Sequence, residues 1–317
     1  MIRSCPAAAA LMAAVLAVLA VSACAGNDGT GSTDTDTDTD HDHVGTASAH
    51  ADVTSLGQPN EPIAGPQGAT PQFLVECLFS HAAADDPIVS PGQPGKSHLH
   101  MFFGNTGVDA YTTVGSLADG ETTCDQRLDK AAYWAPALLR GPEVLTAVKS
   151  TAYYRPGRGV EPSTVQPFPE GLVMVGGNSG ATGEQPLSIV AWGCGAGIER
   201  AVLPAECAEG RNLRLLVTFP DCWDGRNLDS DDHHAHVAYS SQGACPPGFP
   251  VAITQLQFSV EYPVWGSTEG LVLASGGLTT GHADFMNGWD QAKLASEVQL
   301  CLHREVVCGV ASGRTTG

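Results

Sequence analysis

Beyond residue 70 the apolar runs of this chain are short, and most of them stop at glycine, proline or cysteine. Residues 73–79, 171–178, 189–194, 213–220 and 258–264 are each of strand length and too short for a helix that packs on its own. Residues 144–154 alternate as a strand does. With 37 glycines and 21 prolines punctuating the rest, long helices have no room to form. Helical spacing recurs only at residues 288–298, where Leu294 and Val298 share a face. These features predict a mainly β chain: a β-sandwich or jelly-roll-like single domain over residues 71–317, with long loops and a short C-terminal helix.

The cysteines and the N-terminus predict where this domain works. Residues 1–23 read as a secretory signal, with Arg3 followed by an apolar stretch over 7–20 that is too short to span a bilayer. It ends at Val21-Ser22-Ala23-Cys24, which resembles a bacterial lipobox, and this implies lipidation of Cys24. The chain is then expected on the extracellular face of the cell membrane, held by a lipid whose buried methylenes each contribute about 0.8 kcal/mol. Without that lipid the same signal predicts plain secretion. Residues 24–70 carry four Thr-Asp pairs and His41-Asp42-His43 but little apolar surface, so an acidic disordered tether is expected. No later stretch is long and apolar enough to cross a bilayer.

Past the tether lie eight cysteines, Cys77, Cys124, Cys194, Cys207, Cys222, Cys245, Cys301 and Cys308. An even set in an exported chain reads as a disulfide framework, and pairing in sequence order closes each loop locally. A thiolate zinc site is the alternative, but no Cys-x-x-Cys pair supports it. Nor does the chain hold a nucleotide-binding loop or the Gly-x-Ser-x-Gly elbow of a serine hydrolase.

Charge excludes another class of partner. Eight of the 34 acidic residues precede residue 70, leaving 26 acidic against 14 basic residues in the remainder. A surface of that sign repels phosphate backbones, so nucleic acid is not an expected partner. Neutral or cationic ligands, or a metal, remain compatible with it.

Six of the eleven histidines fall in three short segments. His98 and His100 are one residue apart in Ser97-His98-Leu99-His100-Met101-Phe102-Phe103-Gly104-Asn105, a strand pattern in which both imidazoles share a face. Asp232-His233-His234-Ala235-His236 and His282-Ala283-Asp284 repeat the theme, the first over a helical turn and the second along a strand. The candidate metal ligands are therefore His98, His100, His233, His236 and His282, with Asp284 adding oxygen. Imidazole and carboxylate donors suit a divalent metal such as zinc or copper, with room for water or substrate.

Metal-free acid–base chemistry is a second reading of the same residues, drawing carboxylates from Asp224, Asp229, Asp232, Asp284 and Asp290. Across both readings His98, His100, His236, Asp284 and Asp224 are the candidate catalytic residues. Trp134, Trp223 and Trp289 stand beside these motifs as stacking faces for a sugar ring, although a core position is open to each. A third reading is a binding module that holds a glycan or a metal without turning it over.

The ordered series Asp86-Pro87-Ile88-Val89, the His98 segment, Thr122-Thr123-Cys124, Tyr133-Trp134-x-Pro136, Phe219-Pro220-x-Cys222-Trp223-Asp224-Gly225, Asp232-His233-x-x-His236-Val237-Ala238-Tyr239, Cys245-Pro246 and His282-Ala283-Asp284-Phe285-x-Asn287-Gly288-Trp289 resembles the domain of unknown function numbered nineteen ninety-six. The resemblance covers about residues 71–308. It implies a secreted protein of the kind that sometimes accompanies modules for cell-wall carbohydrate, so a cell-wall glycan becomes the expected partner. His234 falls outside its matched positions. The combined expectation is a lipid-anchored, disulfide-stabilised β domain with a His/Asp cleft, acting as a hydrolase on cell-envelope carbohydrate or else as a carbohydrate- or metal-binding module.

Overall fold

The computed structural model describes residues 62–63 and 70–309. The signal segment, Cys24 and nearly all of the expected tether lie outside the described residues. Nine strands form one antiparallel sheet: β1 (Gln72–Ala83), β2 (His100–Gly104), β3 (Ala132–Pro136), β4 (Lys149–Arg155), β5 (Val173–Gly177), β6 (Val190–Cys194), β7 (Leu213–Thr218), β8 (Gln255–Tyr262) and β9 (His282–Met286). Their order is β5-β9-β3-β2-β1-β4-β8-β7-β6. β1 is long enough to pair with β4 through its first half and β2 through its second, with a register shift between Phe79 and His81 that bends it from one to the other. Pro62–Ile63 pair with Val307–Cys308, which run alongside β1.

The expected mainly β packing is realised by one sheet that curls until its margins face each other. Val217 and Phe219 lie against Gly176 of β5, so the strand at one margin meets residues from beside the other. Inside the curl Phe73, Tyr133, Tyr154, Phe168, Phe258, Phe285 and Trp289 form an aromatic core, with Phe73 stacked on Tyr154 and Tyr133 on Phe258. Strand periodicity assigns the two faces. On β2 Met101 and Phe103 point inward, while Phe102 joins Trp134, Val173, Val175 and Met286 on the outer face under Ile88, Val108 and Leu117. β2 is thus buried on both sides, which is why its sequence reads as a continuous apolar run.

The four disulfides join Cys77 to Cys124, Cys194 to Cys207, Cys222 to Cys245 and Cys301 to Cys308, the expected order. Such a set persists in an oxidising, extracellular setting. The short helix, α1 (Gln291–Glu297), starts three residues later than the apolar spacing suggests because Asp290 caps it, accepting from the Lys293 N–H at 2.8 Å. No helix among the described residues is long and apolar enough to cross a membrane.

Two local features yield measurable expectations. Gly104 ends β2 at φ 76°, and a Cβ there would sit 2.4 Å from the Ala131 carbonyl oxygen. Gly104→Ala is expected to cost about 2–3 kcal/mol in urea unfolding, from left-handed backbone strain plus that clash. In the core, Tyr133 donates to Asp129 Oδ2 at 2.6 Å, Tyr133 and Tyr154 share a short hydroxyl contact, and Trp289 donates to Tyr154 at 3.0 Å. Burial lifts the Asp129 carboxyl to about 8. A raised folded-state pKa contributes stability that is complete below about 3.8 and lost as pH climbs through 8. Stability should fall by about 2 kcal/mol between pH 6 and pH 8, and Asp129→Asn should flatten that slope in thermal melts.

Candidate metal centre

Between β1 and β2 the chain leaves the sheet over residues 84–99 and folds back across its outer face. Asp85 secures this covering segment, accepting from the Gly95 N–H at 2.8 Å and the Ala110 N–H at 3.3 Å. Asp86 tightens the next turn, its Oδ1 accepting from the Ile88 and Val89 N–H groups at 3.0 Å each. Leu99 then rejoins the sheet edge by accepting from the Ala137 N–H at 2.9 Å. The covering segment therefore brings Asp86 and His98 down onto side chains of β2 and β9.

The sheet register supplies the other half. His100 pairs with Pro136, while Asp284 pairs with Trp134 and lies two residues from His282 on the same face of β9. His98, His100 and His282 each offer a ligand atom within 4.8 Å of the others, and so do Asp86, His100 and Asp284. Ring centroids lie 4.1 Å apart for His98 and His100, and 5.0 Å apart for His98 and His282. His100 belongs to both triads.

Backbone carbonyls fix the tautomers. The His100 Nδ1–H donates to the Asp85 carbonyl at 2.9 Å, and the His282 Nδ1–H donates to the Thr280 carbonyl at 2.8 Å. A carbonyl accepts only, so both rings carry their proton on Nδ1 and present a bare Nε2. Backbone hydrogen bonding of this kind is how metal-ligating histidines are oriented. His98 Nε2, His100 Nε2 and both carboxylate oxygens of Asp284 are buried without a hydrogen-bond partner.

Burial sets the proton affinities. It pushes the His100 imidazole well below its ordinary range, helped by His98 and His282, and brings His282 down to about 4. His98 is lowered by the same cause. The Asp284 carboxyl is held far above the usual range by its burial and by nearby Asp86, which is itself raised by burial. Such a cluster favours neutral imidazoles, and it leaves Asp284 without a positive neighbour.

The remaining sequence candidates separate from this cluster. His236 is spent on structure: its Nε2 lies 2.7 Å from the Val173 carbonyl and its Nδ1 2.9 Å from Ser230 Oγ. His233 adopts φ 57° and turns to Asp229 at 2.9 Å, so the expected pairing of His233 with His236 over a helical turn does not form. Asp224 closes a surface turn by accepting from the Arg226 and Asn227 N–H groups. Trp134 and Trp289 are buried, which leaves no face for a sugar, and Trp223 donates its indole N–H to the Asn227 carbonyl at 2.6 Å. Asp86 was not among the sequence candidates, since it stands in a loop segment before Pro87 with no spacing that links it to the histidines.

A cleft of about 360 Å³ opens beside the cluster, on the outer side of β5. Val175 and Gly177 in its wall pair directly with Asp284 and His282. His234 also lines it, with burial lowering the proton affinity of its imidazole.

Comparison with known proteins adds a family. The model described as Domain of unknown function (DUF1996) matches residues 86–289, which run from the first carboxylate of the cluster to just past the last. No curated protein and no solved structure matches the chain.

Proposed function

The chain belongs to the DUF1996 family, and within that family of unassigned activity we propose that His98, His100, His282, Asp284 and Asp86 hold one divalent metal ion, zinc or copper, for hydrolysis of cell-envelope carbohydrate. The observation that carries the metal is the set of buried, unpartnered acceptors: two imidazole nitrogens and both oxygens of Asp284. An isolated carboxylate in such a place costs several kcal/mol to ionise, and a cation at the same point removes that cost. The two triads share His100, whose bare Nε2 is the donor common to both, and on that ground we assign them to a single ion. Three imidazoles with carboxylate oxygen suit zinc or copper, and thiolates take no part.

Bound there, the ion would act as a Lewis acid and bring the pKa of a coordinated water to about 7. The chain's own residues orient the His100 and His282 imidazoles through the Asp85 and Thr280 carbonyls and supply Asp86 and Asp284 as carboxylate donors. An acidic surface suits a neutral glycan better than an anionic one. Cys24, lipidated, would hold the domain at the membrane, and a secreted form would keep the same centre.

The near-complete burial of His100 and Asp284 favours one second reading, a non-catalytic metal- or carbohydrate-binding module. Elemental analysis of the oxidised protein, made without a histidine tag, tests the first step. About one zinc or copper per chain is expected, lost in the His98→Ala, His100→Ala double variant. Protein that stays metal-free after reloading with either ion overturns the centre. A screen for sugars released from cell-wall preparations then separates hydrolase from binding module.

A further inference from the structure

We infer that the cleft on the outer side of β5 is the saccharide site of this centre, coupled to it through Gln185; the inference rests on the metal reading above. Three observations carry it. First, neighbouring strands lie about 4.8 Å apart, and the cleft wall at Val175 and Gly177 is the direct register partner of Asp284 and His282. A molecule in the cleft sits one strand away from Asp284 and His282, while His100, on β2, lies two strands further along the sheet.

Second, the lining selects a chemistry. Asn178, Glu184, Gln185, His234 and Tyr239 contribute polar groups, while no lysine or arginine lines the cleft. An anionic ligand would meet Glu184 with nothing to neutralise it. A neutral polyhydroxylated ring meets donors and acceptors instead, and a volume of about 360 Å³ lies within the range of small-molecule sites, which starts at about 300 Å³. The Tyr239 hydroxyl donates to the Thr218 carbonyl at 2.8 Å, and the His234 backbone N–H donates to Asp232 Oδ1 at 3.0 Å, so the Tyr239 side chain and the His234 backbone are fixed before a ligand arrives.

Third, the cleft has a mechanical link to the metal. Gln185 Nε2 donates to the carbonyls of Thr279 at 2.8 Å and Gly281 at 2.7 Å, on either side of Thr280. The Thr280 carbonyl is the group that orients His282. Gln185 is thus a positioning residue: it fixes the backbone that fixes the imidazole.

Paramagnetic relaxation tests the site directly. The full protein is loaded with Cu²⁺ and mixed in turn with cellobiose, N,N′-diacetylchitobiose and mannobiose, and sugar proton relaxation is compared with that of zinc-loaded protein. At least one disaccharide should relax more than fivefold faster with Cu²⁺. The effect should vanish in Gly183→Trp, which fills the cleft from a position where a side chain meets nothing. Gln185→Ala should shift the Cu²⁺ EPR hyperfine splitting and weaken metal binding about tenfold.

Bound copper with no relaxed sugar, or relaxation that survives Gly183→Trp, overturns the saccharide site and leaves the metal centre standing. Relaxation of neutral dipeptides in place of sugars overturns the substrate class. An unshifted EPR spectrum overturns the coupling through Gln185. Should the chain hold no metal, the centre fails separately, and saturation transfer to the disaccharides from wild type but not from Gly183→Trp still decides the cleft.

Discussion

Without the Cys77–Cys124 bond, through paired Cys77→Ala and Cys124→Ala substitutions, the domain is expected to lose about 4 kcal/mol of stability and to bind metal poorly or not at all. The bond closes a separation of 47 residues, and releasing a loop of that size returns about 4 kcal/mol of conformational entropy to the unfolded chain. Removing Cys301–Cys308, with a separation of 7, should cost only about 2.4 kcal/mol by the same reasoning. Its position gives the first bond a second role. Residues 78–123 contain the covering segment, hence Asp86 and His98, and also β2 with His100. Urea unfolding of both paired variants beside elemental analysis checks the ranking. Equal losses from the two bonds would show that loop entropy does not govern this framework, and full metal content without Cys77–Cys124 would show that the covering segment is held by its own hydrogen bonds.

Zinc should stabilise the wild-type protein strongly and the His100→Ala variant not at all. Any ligand that binds only the folded state adds stability as its concentration exceeds Kd, about 4 kcal/mol at a thousandfold excess. His100 is the donor common to both triads, so its removal leaves neither intact. Asp284→Asn separates two effects that His100→Ala merges. Replacing a buried, unpartnered carboxyl, whose surroundings oppose its ionisation, with an uncharged amide should raise the melting temperature of the metal-free protein while abolishing most of the zinc-dependent gain. Melting curves with and without zinc and a chelator read both quantities. A metal-dependent gain retained in Asp284→Asn would remove Asp284 from the ligand set.

Much of this architecture is written locally in the chain. Runs such as 189–194 and 213–220 become β6 and β7 nearly residue for residue, because glycine, proline and cysteine mark where pairing must end. The pairing of cysteines in sequence order follows from short loop closures. The curl of the sheet was not legible, since it depends on which distant strands become neighbours, as β5 and β9 do across the interval from 178 to 281. Within the site, His282 and Asp284 follow strand periodicity as read. His98 and His100 converge for a different reason than the sequence suggested: the strand begins at His100, and His98 comes in from the covering segment. His233 and His236 misled because a histidine-rich turn looks like a ligand pair until its carbonyl and carboxylate partners are known. Asp86 was not among the candidates because it stands in a loop segment, and His234 was discounted because it falls outside the matched positions of the resemblance.

The curling of the sheet bears on how the molecule behaves among its neighbours. A flat sheet offers a row of unpaired amides and carbonyls at each border, on which a second chain can add a strand. Here the β6 border is covered from within, as Trp192 and Arg200 exchange both backbone hydrogen bonds at 2.7 and 2.8 Å. At the β5 border the Val173 N–H is taken by the Leu228 carbonyl at 2.9 Å. With backbone groups at both borders engaged from within the chain, less of either border is open to an added strand.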